Sequence, residues 1–165
     1  MARTIPREVS KEDIGWLAGI IDGEGSITIV RPKKVTTNQI LYGVYIVGGD
    51  LSLMTKSINL INLLATEGKP IILQEKKYKK GLFKTNKKMY QLCIRKQSTI
   101  VNVLRDCTPH LTEKKAKALK LLNFLDNHKK GTHFKEGEVE KYLQYTPVET
   151  ERATLERDEA TVRTV

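Results

Sequence analysis

Asp22 and Glu24 stand two residues apart, with Gly23 between them and Gly25 after them, at the end of the stretch WLAGIIDGEG that begins at Trp16. An apolar run leads into them, so the two carboxylates fall where an amphipathic helix stops. A helix C-terminus carries about half an elementary negative charge, which disfavours acids at that position. A cation removes the conflict. Carboxylate oxygens, a backbone carbonyl and water are the donors that a hard divalent ion takes. Gly23 permits a sharp turn and frees its own carbonyl. On these four residues alone, a metal site and a plain helix-to-strand turn are both open readings.

The element that must position these acids is the helix before them. Ser10 is its expected N-cap, with Glu12 and Asp13 in the first turn, where negative charge is favoured. The helix is expected to reach about Asp22 and to stop at the glycines. Gly15, Ala18 and Gly19 put small side chains along it. Each glycine costs a helix about 1 kcal/mol relative to alanine. Two such costs suggest close approach to another backbone. The stretch occurs once in the chain, so the expected partner is the same helix in a second copy. Twofold packing would then bring two acidic ends together.

The remaining pattern reads as α+β. SITIVRP alternates, with Ile27 and Ile29 on one face and Ser26, Thr28 and Val30 on the other. Leu41 to Val47 is a second strand, and the pair forms a hairpin. Leu51, Met54, Ile58, Ile61 and Ala65 recur at helical spacing, closed by Gly68. PIILQEKKYKK and KKMYQLCIR form a second hairpin. A helix is expected from about Ser98 to Asp106. Another is capped by Thr112 and carries Ala118, Leu121, Leu122 and Leu125 on its apolar face. A short helix over Glu136 to Gln144 follows. The order αββαββα builds one mixed sheet whose connections can all be antiparallel, leaving one face open. The 165 residues are read as one domain, with an acidic tail from 145 to 165.

Charge points to the partner. The chain carries 29 basic and 19 acidic residues, a net +10. Between Lys69 and Lys96 there are ten Lys or Arg and one acid, whereas Glu136 to Val165 holds eight acids and four bases. A clustered excess of this size predicts a polyanion, nucleic acid first. Gln74, Lys76 and Tyr78 share one face of the third strand. Gln91 lies opposite Tyr90, Leu92 and Ile94 on the fourth, and Thr28, Arg31 and Lys34 lie on or beyond the first. Gln suits adenine and Arg or Lys suits guanine in a major groove, while lysines also bind phosphate without reading sequence. Cys93 and Cys107 make neither a disulfide framework nor a C-x-x-C metal site. His110, His128 and His133 show no metal spacing. No apolar run approaches the ~20 residues of a membrane span, and no signal-type segment opens the chain, so a soluble intracellular protein is expected.

Leu17 to Gly25, LAGIIDGEG, resembles the LAGLIDADG motif of homing endonucleases. Seven of nine positions match by letter or by acid class; Ile20 is conservative and Gly23 a common family variant. The order of elements and the basic hairpins agree, and the resemblance extends to about Phe124. It implies that the motif helix forms the interface between two halves, and that a single-motif chain is a homodimer joined through Gly15, Ala18 and Gly19. It implies that Glu24 and the Gly23 carbonyl hold the catalytic divalent metal, with Asp22 in a secondary role. Mg²⁺ is the expected ion, with Mn²⁺ a substitute and Ca²⁺ supporting binding without efficient cutting; no small-molecule cofactor and no membrane is implied. The reaction is hydrolysis of both strands of double-stranded DNA, one Glu24 for each. A basic residue after the last strand, Lys96 or its rival Arg95, and a polar residue before the second helix, Asp50, are further catalytic candidates. A solvated lysine and a plain N-cap stay open as readings of Lys96 and Asp50. Arg95 is also a candidate DNA contact. The competing function is a non-cleaving nucleic-acid binder, such as an RNA maturase assisting intron splicing.

Overall fold

A computed structural model of the chain describes residues 8–30, 40–66, 68–76 and 88–128. Within them the order is α1 (Lys11–Glu24), β1 (Gly25–Val30), β2 (Leu41–Gly48), α2 (Leu51–Leu64), β3 (Gln74–Lys76), β4 (Met89–Ile94), α3 (Gln97–Cys107), a 3₁₀ turn (Thr108–His110) and α4 (Lys115–Asn127). The expected α+β architecture is present. The helix expected over Glu136 to Gln144 and the acidic tail lie outside the described residues.

Local chemistry accounts for the helix ends. Ser10 caps α1, its hydroxyl accepting the Asp13 N–H at 3.1 Å. The helix runs through Gly23 and ends at Glu24, so only Gly25 acts as the stop. A Cβ on Gly25 would stand 2.5 Å from the Ile21 carbonyl oxygen, a distance no side chain tolerates. α2 starts at Asp50, whose carboxylate accepts the Leu53 N–H at 3.0 Å. It ends at Leu64, before Gly68, because Asn102 donates to the Leu64 carbonyl at 2.9 Å and Asn62 holds both the N–H and the carbonyl of Ile71. Lys56 ties α2 to α1, with its ammonium 3.1 Å from Asp13 and 4.4 Å from the centre of the Trp16 ring.

The four strands form one sheet in the order β1-β2-β4-β3, and all three pairings are antiparallel, where the sequence left a mixed sheet open. One face carries Ile27, Val44, Ile46, Leu92 and Ile94, all buried. The helices cover that face with Leu17, Ala18, Ile21, Met54, Ile61, Ile100, Leu104, Leu121 and Phe124. Burial of an aliphatic or aromatic side chain contributes roughly 1.5–3 kcal/mol, so this layer fixes which face of each strand turns outward. By alternation the other face carries Ser26 and Thr28 of β1, Tyr45 and Val47 of β2, Gln91 and Cys93 of β4, and Gln74 and Lys76 of β3. No helix among the described residues is long and apolar enough to cross a membrane.

Candidate active site and nucleic-acid interface

The two motif acids have different environments. Both carboxylate oxygens of Asp22 are engaged. One accepts the N–H and the hydroxyl of Thr112, at 2.6 and 2.9 Å, and the other accepts the Lys114 N–H at 3.0 Å. The Lys114 ammonium donates to the backbone carbonyl of Asp22 itself. Burial works against the charged form of Asp22, but the hydrogen bonds from Thr112 and Lys114 and the nearby ammonium outweigh it, and the carboxyl is held below its ordinary value. Asp22 thus fastens the segment before α4 to the end of α1. Three of its roughly four acceptor sites are thereby taken, with Oδ1 accepting a single bond. Thr112 is correspondingly not the cap of α4, which begins at Lys115 after Lys114.

Glu24 is exposed and, among the described residues, has no hydrogen bond or ion pair. It is the last residue of α1, where the final carbonyls, that of Gly23 among them, have no intrahelical donor. A free carboxylate and a free carbonyl at a negative helix end suit a hard divalent cation. They are too few to enclose one. Among the described residues no three His, Cys, Asp or Glu side chains stand together as a metal site.

Of the other two catalytic candidates, Asp50 follows Gly48 at the end of β2 beyond the Gly25–Ile46 pair, which is the motif end, and Lys96 follows the opposite end of β4. The Asp50 carboxylate is the N-cap of α2, the second of the readings open for it. Lys96 is the N-cap residue of α3 without a side-chain capping bond, and its ammonium lies against Gly68. Gly25, next to Glu24, pairs with Ile46, whereas β4 pairs Ile94 with Val44 two residues further on. Lys96 follows that far end of β4, where α3 begins. The basic residue that the fold does bring to the motif end is Lys114, which sequence reasoning missed. It is 92 residues from Asp22 in the chain, and TEKK reads locally as the start of a helix.

The open sheet face assembles most of the expected DNA contacts. Gln74 and Gln91 are direct cross-strand partners, and Val47 extends their row onto β2. Lys76 lies on β3 opposite Met89. Thr28 is opposite Gly43, with its hydroxyl 3.4 Å from that of Ser26. Arg95 continues the outward series Gln91, Cys93, and the neighbouring Tyr45 hydroxyl, then the Cys93 thiol, raise its guanidinium above the ordinary value. Tyr45, central on this face, was not singled out from the sequence. Arg31, Lys34 and Tyr78 lie outside the described residues.

The small residues of α1 divide. Ala18 is fully buried in the chain's own core, beside Leu17 and Ile21. Gly15 and Gly19 lie on the outer side, and Gly23 continues their row one turn later. A Cβ built on any of the three meets nothing within 4 Å. The outward stripe is therefore glycine at 15, 19 and 23, without Ala18.

No protein-family model matches the chain, and no curated protein matches it. Solved structures do. The homing endonuclease I-TnaI matches 91% of this chain and 98% of its own at 20% identity, with a TM-score of 0.56. The homing endonuclease I-CvuI, solved with a DNA target in the presence of calcium, matches 70% of this chain and 67% of its own at 18% identity, with a TM-score of 0.49. The archaeal intron-encoded homing endonuclease I-Vdi141I, complexed with DNA, matches 79% and 94% at 14% identity, with a TM-score of 0.44. On the I-TnaI match, the chain has a homing-endonuclease-like fold.

Proposed function

We propose that two copies of this chain form a divalent-metal-dependent, sequence-specific double-strand DNA endonuclease. The reading is carried by one observation: of two neighbouring acids at a helix end, Asp22 has both oxygens hydrogen-bonded and Glu24 is left with no partner among the described residues. Glu24 and the Gly23 carbonyl are the donors that would hold the ion. Bound there, Mg²⁺ would supply charge neutralisation and a lowered pKa for an attacking water. Mn²⁺ is a suitable substitute, and Ca²⁺, with its looser coordination, is expected to support binding with little cutting. The glycine row at 15, 19 and 23 lets a second α1 approach closely, which brings the second Glu24 to the same region and provides one carboxylate for each DNA strand. Lys114, with one of its three donors on the Asp22 carbonyl, adds positive charge at that end for the phosphate. The open sheet face, with Gln74, Gln91, Lys76, Arg95 and Thr28, supplies the groove contacts.

The test is incubation of the purified protein with a randomised duplex library in Mg²⁺, followed by sequencing of the ends. Recurrent ends around one long motif are expected from the wild type and not from Glu24→Gln. Equal cutting by both proteins would overturn the assignment. Binding to RNA with no cleavage of any DNA would favour the maturase reading.

A further inference from the structure

Of the four strands, β3 has the least to hold it in place. It is an edge strand of three residues, Gln74–Lys76, all exposed, and it pairs on one side only, with β4. β4 is fixed by its pairing with β2 and by the buried Leu92 and Ile94. A strand without a buried face has a weakly specified register, and a slip by one residue turns every side chain to the opposite face. Such a slip would turn Gln74 away from the open face and set Glu75 or Leu73 opposite Gln91 in its place. The ion pair of Glu75 with Lys88 is 4.0 Å long and exposed at both ends, so it contributes little to the choice.

The constraint comes from the residues just before the strand. Asn62, in the last turn of α2, accepts the Ile71 N–H at 2.8 Å and donates to the Ile71 carbonyl at 3.0 Å. One side chain thus supplies both bonds that a neighbouring strand gives to a hydrogen-bonded residue. Asn62 is half-buried, and the end of α2 is tied in turn to α3 by Asn102, which donates to the Leu64 carbonyl at 2.9 Å. Ile71 and Leu73 lie against the core, whereas Ile72 between them is 67% exposed. The alternation that turns Gln74 outward therefore starts at the clamped residue. Gln74 is three residues beyond Ile71, at most about 11 Å of chain, so a clamp on the first leaves the second little room to slip.

Resting on the DNA-endonuclease reading above, we infer that Asn62 is a positioning residue for target recognition: by clamping Ile71 it sets the register of β3 and so presents Gln74, beside Gln91, to an adenine in the major groove. Recognition of adenine N6 and N7 takes a glutamine amide delivered at one place. The two slipped registers would deliver a carboxylate, which the DNA phosphates repel, or a leucine, which has no donor or acceptor. Asn62 belongs to the helical layer beneath the sheet and acts only through Gln74. Its amide is what the clamp requires. Aspartate keeps an acceptor for the Ile71 N–H but opposes a carboxylate to the Ile71 carbonyl, and alanine leaves both backbone groups without their partner.

The experiment is selection of bound duplexes from a randomised DNA library in Ca²⁺ with the full-length protein and thermal unfolding of each variant. The variants are Gln74→Ala, Asn62→Ala, Asn62→Asp, and Asn62→Ala combined with Gln74→Ala. The wild type should select an adenine in each half-site, and Gln74→Ala should lower that preference by about tenfold. Asn62→Ala and Asn62→Asp should lower the same preference severalfold and leave the other selected positions as they are. In the double variant Asn62→Ala should remove nothing further, because its effect passes through Gln74. Asn62→Asp, equal in size to asparagine, decides the matter if Asn62→Ala does not fold. If the adenine preference survives the Asn62 substitutions, or if they weaken all positions alike, Asn62 serves the fold alone and the inference is overturned. A loss in the double variant equal to the sum of the two single losses overturns it as well. A wild type that selects a defined site at which Gln74→Ala changes no position overturns this inference and leaves the endonuclease reading intact, whereas a wild type that binds no DNA overturns both.

Discussion

Replacing Asp22 by asparagine separates the two motif acids by experiment. The Asp22 carboxylate accepts two backbone N–H groups, from Thr112 at 2.6 Å and Lys114 at 3.0 Å, and the Thr112 hydroxyl at 2.9 Å. Asparagine keeps the shape, but its NH₂ must face one of those N–H donors, which leaves a main-chain donor unsatisfied, and the bonds that survive lose their charge assistance. An unsatisfied buried donor costs about 1–3 kcal/mol. Asp22 is only partly buried, so water offsets part of that cost, and about 1–2 kcal/mol remains. For a chain of 165 residues that is a fall in Tm of roughly 2–8 °C. The pH dependence has a definite sign. The folded state holds the carboxyl below its ordinary value of 3.8, so its contribution is complete above that pH and is lost as pH falls through the folded value. Circular dichroism melts of wild type and Asp22→Asn should therefore differ by a constant amount from pH 5 to pH 8, and the difference should shrink below about pH 4. Identical melts at neutral pH, or a gap that persists undiminished at pH 2, would refute the tether.

Three further outcomes follow from the same geometry. Glu24→Gln should leave Tm within the range of an exposed substitution, about 0.5 kcal/mol or less, and DNA binding in Ca²⁺ intact, while cleavage in Mg²⁺ disappears; gel shift and nicking assays on the same preparation check both. A Cβ on Gly19 meets no atom of its own chain within 4 Å, and Gly19→Leu gains helix propensity of roughly 0.6–0.8 kcal/mol, so the variant protomer should still fold, but light scattering should report a monomer where the wild type is a dimer. Burial, with Asp106 adding to it, pushes the Cys107 thiol up to about 12, so a thiol reagent at pH 8 should titrate only the half-buried Cys93 in the folded protein and both cysteines after unfolding; two equally reactive thiols in the folded state would contradict the packing of α3.

What was legible in the sequence was local, and what was not depended on contacts across the chain. The Ser10 and Asp50 caps, the apolar period of α2 and the strand alternation that sets the faces of Gln74 and Gln91 all arise from residues a few positions apart, whereas the pairing of the two glutamines comes from the fold. Ala18 was legible and was misread. It belongs to the series Ile14, Leu17, Ala18, Ile21 at the spacing of a buried helical stripe, whereas Gly15, Gly19 and Gly23 repeat every fourth residue on the outer side. Which of Arg95 and Lys96 continues the outward face needed the end of β4. Because α3 begins at Gln97, outward alternation reaches Arg95, and Lys96 turns off with the helix. Lys114 and Thr112 were not legible, since the TEKK segment satisfies a helix start on local rules and only the folded chain brings it to Asp22. That contact also resolves the electrostatic conflict of the motif. An acid at a helix C-terminus needs positive charge, and Asp22 receives it from within the chain, together with three hydrogen bonds. Glu24 sits closer still to the negative helix end and, among the described residues, receives none. A protein that compensates one of two adjacent acids and leaves its neighbour exposed has retained a carboxylate at an electrostatic cost to the fold, and a cation from solution, arriving with the phosphate it neutralises, offsets that cost in the proposed complex.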